Sequence, residues 1–208
     1  HQCTSAGNAA SGQFCQTGFG VSGYYNDYND FIESFVNVGF NDQGLMVFQS
    51  RNVADARIYG AELKAGVDFG ALYDAWRGWS LRGAAAWARG DNKTDDVPLD
   101  SVDPLRGSLG LAYERGSWGA ELASSFAAAK ERVSNPAYYR PSGYGVLDLM
   151  AHWNFAPGAR IDFGVFNLGD RTYTDWADVP VGVAATATTL DRYTRPGRSV
   201  AASLSVSW

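Results

Sequence analysis

What the 208-residue chain lacks narrows its class first. No uninterrupted apolar run approaches the ~18 residues that carry a helix across a bilayer, which excludes a helical membrane protein. Positive charge is not in excess: 17 Lys and Arg against 22 Asp and Glu leave −5. A general nucleic-acid binder needs a basic footprint and is excluded. Charged residues are scarce at 19% and apolar ones reach 46%, the opposite of a disordered composition. Histidine occurs only as His1 and His152, so a Ser-His-Asp arrangement has one internal base to draw on. Cysteine occurs only as Cys3 and Cys15. Two thiols so close suit a small disulfide loop in an oxidising compartment, with free thiols as the alternative. Their spacing is not that of a zinc finger. His1 opens the chain without an initiator Met or apolar leader, so a processed or truncated start is expected.

What the chain has in quantity is glycine (24) and aromatics (7 Trp, 11 Tyr, 11 Phe), arranged with period two. Successive strand residues point to opposite faces. Over 199–208 one face reads Val200, Ala202, Leu204, Val206, Trp208 and the other is mostly serine. Leu147, Leu149, Ala151, Trp153 and Phe155 alternate with Asp148, Met150, His152 and Asn154. The same pattern marks about eight strands: 19–35, 45–70, 79–90, 104–115, 117–131, 143–155, 159–171 and 194–208.

The connections differ in length by end. Glu114-Arg115-Gly116-Ser117 and Ala156-Pro157-Gly158-Ala159 are tight turns, 70–78 is intermediate, and 91–103, 132–142 and 172–193 are long polar loops. Short turns at one end and long loops at the other are the pattern of an outer-membrane barrel. Trp79, Tyr113, Trp118, Trp153, Phe155 and Trp208 all fall beside the short turns on apolar faces, as a membrane-interface girdle requires. Trp87, Phe126 and Tyr144 are expected in the opposite girdle. A soluble antiparallel sandwich also alternates, but its Trp residues need share no level, and the polar faces here are unusually rich in Gly, Ala and Ser.

Three stretches carry a resemblance. Gly23-Tyr24-Tyr25-Asn26-Asp27-Tyr28-Asn29-Asp30-Phe31-Ile32-Glu33 is similar to a strand of TonB-dependent outer-membrane receptors. Asn52-Val53-Ala54-Asp55-Ala56-Arg57-Ile58-Tyr59-Gly60-Ala61-Glu62 resembles that family's returning strand. Phe166-Asn167-Leu168-Gly169-Asp170-Arg171-Thr172-Tyr173 resembles the penultimate one, and Pro196-Gly197-Arg198-Ser199 leads into the last. Their order matches the closing third of the receptor barrel, and the first resembles the haem and haemoglobin receptor branch. The family usually ends in Phe where this chain has Trp208.

The resemblance covers 19–208 and leaves 1–18, with the cysteines, unplaced. It implies an all-β, antiparallel transmembrane segment forming strands 15–22 of a twenty-two-stranded barrel. It also implies residence in the outer membrane of a Gram-negative bacterium. The cargo would be a metal chelate, haem favoured and a siderophore next, with no covalently bound cofactor. The implied partners are outer-membrane lipid, the receptor's own plug domain and missing strands, the TonB complex and the barrel assembly machinery. Eight strands return the start to the periplasmic end, which would place Cys3 and Cys15 in an oxidising compartment. Eight strands can also close a small barrel of structural or adhesive role, which stays open at this point along with a secreted soluble sandwich.

No catalytic constellation is present, so no enzyme is expected. His152 reads as a lumen residue. Asp91-Asn92-Lys93-Thr94-Asp95-Asp96 lacks the Gly and Glu of a calcium loop. Gly18, Gly20 and Gly23 match dinucleotide spacing but lead into a strand instead of a helix. Glu62, Lys64, Arg82, Arg106, Glu121 and Asp148 fall on the polar face: a wet wall in a wide barrel, obligatory pairs in a narrow one. Tyr138, Tyr139 and Arg140 in one loop, and Tyr173, Trp176 and Tyr193 around another, are the ligand-contact candidates, since aromatics with Arg are common at hot spots.

Overall fold

A computed structural model describes residues 17–207; Cys3, Cys15 and Trp208 lie outside the described residues. Nine antiparallel strands form one sheet: β1 (Gly18–Phe40), β2 (Met46–Asp68), β3 (Trp79–Asn92), β4 (Val97–Pro98), β5 (Arg106–Arg115), β6 (Trp118–Ala127), β7 (Tyr144–Ala156), β8 (Ala159–Phe166) and β9 (Ser199–Val206). Eight lie side by side in chain order, and the two-residue β4 pairs only with β3. This is the all-β meander expected from the alternation.

The register carries one apolar face across the sheet. Val67, Leu81, Leu111, Leu122, Leu149, Val165 and Val200 are partners in turn from β2 to β9. A one-residue slip anywhere would break that row. Among the described residues no second layer covers it: Leu109 is 49% exposed, Leu147 45% and Leu204 64%. A sandwich would bury this face against another sheet, so the soluble alternative fails. Among the described residues β1 pairs only with β2 and β9 only with β8. The sheet is therefore an open arc and not a self-closed eight-stranded barrel.

On the outward face Trp79 and Tyr113 have ring centroids 4.8 Å apart, and Tyr113 and Trp118 5.3 Å. Trp118 is the register partner of Trp153, whose ring lies 5.8 Å from that of Phe155. The row runs along the short-turn end. A second group, Tyr25, Tyr59 and Trp87, has centroid spacings of 6.1 and 5.8 Å toward the other end. Trp79 and Trp87 are eight positions apart on β3. That is roughly 26 Å of strand, or roughly 20 Å of height at a ~40° tilt, near the ~25 Å apolar band of such barrels.

Phe126 faces outward as expected, but Tyr144 does not. Its register partner is Ala127, whereas Phe126 pairs with Gly145. Tyr144 thus belongs to the inner face, against the expectation of an outer girdle.

The strand ends also differ from the sequence reading. β8 stops at Phe166, where Asn167 (φ 52°) and Asp170 (φ 49°) turn the chain through left-handed backbone. β9 begins only at Ser199, since Pro196 has no N–H for a ladder. β3 runs on to Asn92, whose side-chain oxygen accepts from the N–H groups of Thr94 and Asp95 at 2.9 and 3.1 Å and turns the chain into β4. The acidic stretch 91–96 is therefore a hairpin turn.

Candidate functional site

The long loops 93–105, 128–143 and 167–198 gather over one end of the arc, and three residues lock them together. Trp176, 7% exposed, donates its indole Nε1–H to the carbonyl of Asp100 at 2.9 Å. Lys130 Nζ lies 4.5 Å from the Trp176 ring centroid and donates to the carbonyls of Asp100 (3.4 Å) and Val102. The Asp100 carboxylate accepts from the Ser134 N–H at 2.8 Å and from its hydroxyl. Burial pushes the Lys130 amine down to about 8, while Asp100 and Asp103 pull it back up.

A second knot holds Asp175. Its carboxylate accepts from Tyr144 Oη at 2.7 Å, from the Ala177 N–H at 3.1 Å, and from Arg106 at 3.4 Å. Burial opposes the charge, but these donors outweigh it and hold the carboxyl below its ordinary range. The Tyr173 ring rests on Tyr144 at 4.4 Å. Arg195 grips Asp178 with two nitrogens.

Beneath the last loop, the two motifs that flank it are tied to each other. Asn167, 5% exposed, donates from Nδ2 to the carbonyls of Arg171 (2.8 Å) and Pro196 (3.2 Å), and accepts from the Arg171 N–H at 2.9 Å. Asp170 accepts from the Arg198 N–H at 2.8 Å. A side chain at Gly197 would run into Asp170, 2.7 Å from where its Cβ would lie. The loop is thus clamped at both of its feet.

The ligand-contact candidates fall into three settings. Tyr138 bridges to Ala184, and the Tyr139 N–H donates to Val183 at 2.8 Å, so their loop is laced to the last one. Both tyrosines are half-buried and Arg140 is exposed. Tyr173 sits against Tyr144, Trp176 points inward, and Tyr193 closes a short 3-10 turn over 190–193. The frame residues Asp100, Lys130, Arg106, Tyr144 and Asp175 were not singled out as loop partners by sequence reasoning. No periodic signal links residues up to 76 positions apart.

Three ion pairs stand on the inner wall, while Glu62 and Lys64 are exposed on it. Arg82 contacts Glu121, Arg160 contacts Asp162 at 2.6 Å, and His152 Nε2 lies 3.4 Å from Glu114. Gly119 leaves the room that the Glu114 carboxylate fills, and Gly110 does so for Glu121. The glycine excess is partly this: a Cβ at either site would strike a lumen carboxylate. Asp148 accepts from the Asn167 N–H at 2.7 Å and joins wall to loop. The lower wall faces a concavity of about 1070 Å³. Among the described residues no group of three His, Cys, Asp or Glu is placed to hold a metal ion.

The family model for TonB dependent receptor-like β-barrels matches residues 12–168. This chain belongs to that family. Among curated relatives of this TonB-dependent receptor barrel is the probable hemoglobin and hemoglobin-haptoglobin-binding protein 4 of Haemophilus influenzae, 23% identical over 78% of the chain. Among solved structures, the copper transporter OprC superposes with TM-score 0.74 at 27% identity over 91% of the chain. A ferric enterobactin receptor from Pseudomonas aeruginosa superposes at 0.65, with 22% identity over 91%. The barrel portion spans 18% of the first relative and 28% and 29% of the two solved chains.

Proposed function

We propose that this chain is the closing part of a TonB-dependent receptor that imports a metal chelate through the outer membrane of a Gram-negative bacterium, with haem as the favoured cargo. The observation that carries the reading is the single uncovered apolar face, bounded by two aromatic rows and backed by a polar wall, in a chain of this family. Only lipid can cover such a face across seven strands.

The laced loops form the receiving surface, with Tyr138, Tyr139, Arg140, Tyr173 and Tyr193 toward the cargo and Trp176 holding them from beneath. Movement of a plug domain, driven by the TonB complex, would release cargo past the polar wall. The barrel itself does no bond chemistry. Haem is favoured over siderophore or copper by the similarity to the Tyr-Tyr-Asn-Asp-Tyr strand of haemoglobin receptors and by the Haemophilus relative.

The test is growth of a haem-uptake-deficient Gram-negative host expressing the full-length receptor, with haemoglobin, ferric enterobactin or copper supplied in turn. Growth on haemoglobin that requires TonB is the expected result. Growth on ferric enterobactin alone would overturn haem and keep import. Uptake of none, with the protein correctly placed in the outer membrane, would overturn both.

A further inference from the structure

The outward face holds a feature that transport does not use. Beyond Tyr25, Tyr59 and Trp87 the outward positions cease to be apolar, and the next ones along the strands are Asp27, Arg57, Arg89 and Asp91. Arg57 Nε donates to Asp27 at 2.7 Å, and its guanidinium lies 5.1 Å from the Tyr25 ring centroid. Arg89 reaches one oxygen of Asp91 at 3.4 Å. Arg132, from the loop after β6, reaches the other, and also the Gly90 carbonyl at 3.4 Å. Lys93 is exposed at the end of the same strand.

The wall opens here. β5 pairs with β3 only as far as Arg106 opposite Ala86. Above that point a groove of about 270 Å³ remains, lined in part by Trp87, Arg89, Leu105, Ala129, Glu131 and Arg132. Trp87, on the outward face of β3, is 45% exposed, and Leu105, just before β5, is 40% exposed. An apolar floor therefore meets a guanidinium pair at the level where the aromatic row ends.

We infer that this groove binds the phosphorylated headgroup of an anionic outer-leaflet lipid, its phosphate between Arg89 and Arg132 and the root of its acyl chains on Trp87 and Leu105. Guanidinium groups present forked donors matched to phosphate, and Trp rings favour the headgroup level. Asp91 holds both arginines in place without neutralising them. The groove's own lining sets Arg89, Lys130 and Arg132 against Asp103 and Glu131, in a chain whose net charge is −5. A free anion would have no use for the apolar floor. The inference rests on the outer-membrane reading above.

The experiment is native mass spectrometry of the full-length receptor in detergent, titrated with diphosphoryl lipid A, with its fully dephosphorylated form, or with inorganic phosphate. Diphosphoryl lipid A should add one copy, the dephosphorylated lipid should bind at least about tenfold more weakly, and inorganic phosphate should not displace the adduct. Arg89→Ala with Arg132→Ala should weaken the adduct about tenfold or more. The paired Lys variants should restore part of it. Arg77→Ala, on an exposed pair with Asp74 at the short-turn end, should change nothing. An undiminished adduct in the double Ala variant, or displacement by inorganic phosphate, overturns the inference. Cargo-dependent growth of the same variants keeps the two readings apart: loss of lipid with normal growth leaves import standing. A wild-type receptor that takes up no cargo yet binds diphosphoryl lipid A through the two arginines overturns import and leaves the lipid site standing.

Discussion

The two ends of the sheet are built by different means. At one end the chain reverses in tight turns whose form is local: Gly116 (φ 60°) and Gly158 (φ 74°) supply left-handed backbone, and the neighbouring strands follow. At the other end the reversals are long, and their form depends on groups far apart in the chain. Trp176 reaches Asp100, Arg106 reaches Asp175 69 positions away, and Asp100 reaches Ser134. Local backbone preference suffices where the chain only has to turn back. Where the chain makes long loops, backbone bonds between them are few, such as Tyr139 N–H to Val183, and side chains supply the rest of the pairing.

The sharpest way to break that contrast is Trp176→Ala. Removing the ring that Lys130 rests on and the donor to Asp100 should cost the loop assembly about 3 kcal/mol. Protease cleavage within 93–105 and 128–143 of the full-length receptor should rise steeply, while heat-modifiable gel mobility, which reports the barrel, stays unchanged. Parallel loss of both would mean that loops and strands are one cooperative unit.

A substitution at the other end should invert the pattern. Gly78 has φ 92°, and a Cβ there would meet the Glu114 carbonyl oxygen across the β3–β5 junction. Gly78→Ala should cost roughly 2 kcal/mol through strained backbone. The expected readout is a lower temperature for loss of the folded gel band, with loop cleavage unaltered.

The smallest effect separates the knots within the loops. Asp175 has its carboxyl held below the ordinary aspartate value of about 3.9, so its contribution is complete above that pH and is lost as pH falls through the lower folded value. Loop cleavage by an acid-tolerant protease should therefore rise below about pH 4. Asp175→Asn should flatten that rise, since the amide does not titrate in this range. An unchanged profile would show that Asp175 does not link loop order to pH.

Much of this was legible in the residues. The face of every strand from Val67 to Val200 followed from alternation, and which turns were short followed from where the alternation breaks off. Tyr144 was misread because it stands beside the apolar set of β7 and not within it, and a phase error of one residue exchanges lipid for lumen. The strand ends at Phe166 and Ser199 needed the Asn167 and Asp170 brackets, which act between motifs and leave no periodic trace. Among the ligand-contact candidates, the sequence does not tell which side chains turn inward, as Trp176 does.

Period-two patterning decided by itself that the chain is a sheet with one apolar and one polar face, since neighbouring side chains of a strand must diverge. Left-handed glycines decided where it could turn sharply. Only the tertiary structure decided how the three long loops pack, that Trp176 and Asp175 are their anchors, and that the wall opens beside Arg89 and Arg132. Those features are contacts between residues dozens of positions apart. Their energy depends on distance in space, which no local rule of the chain encodes.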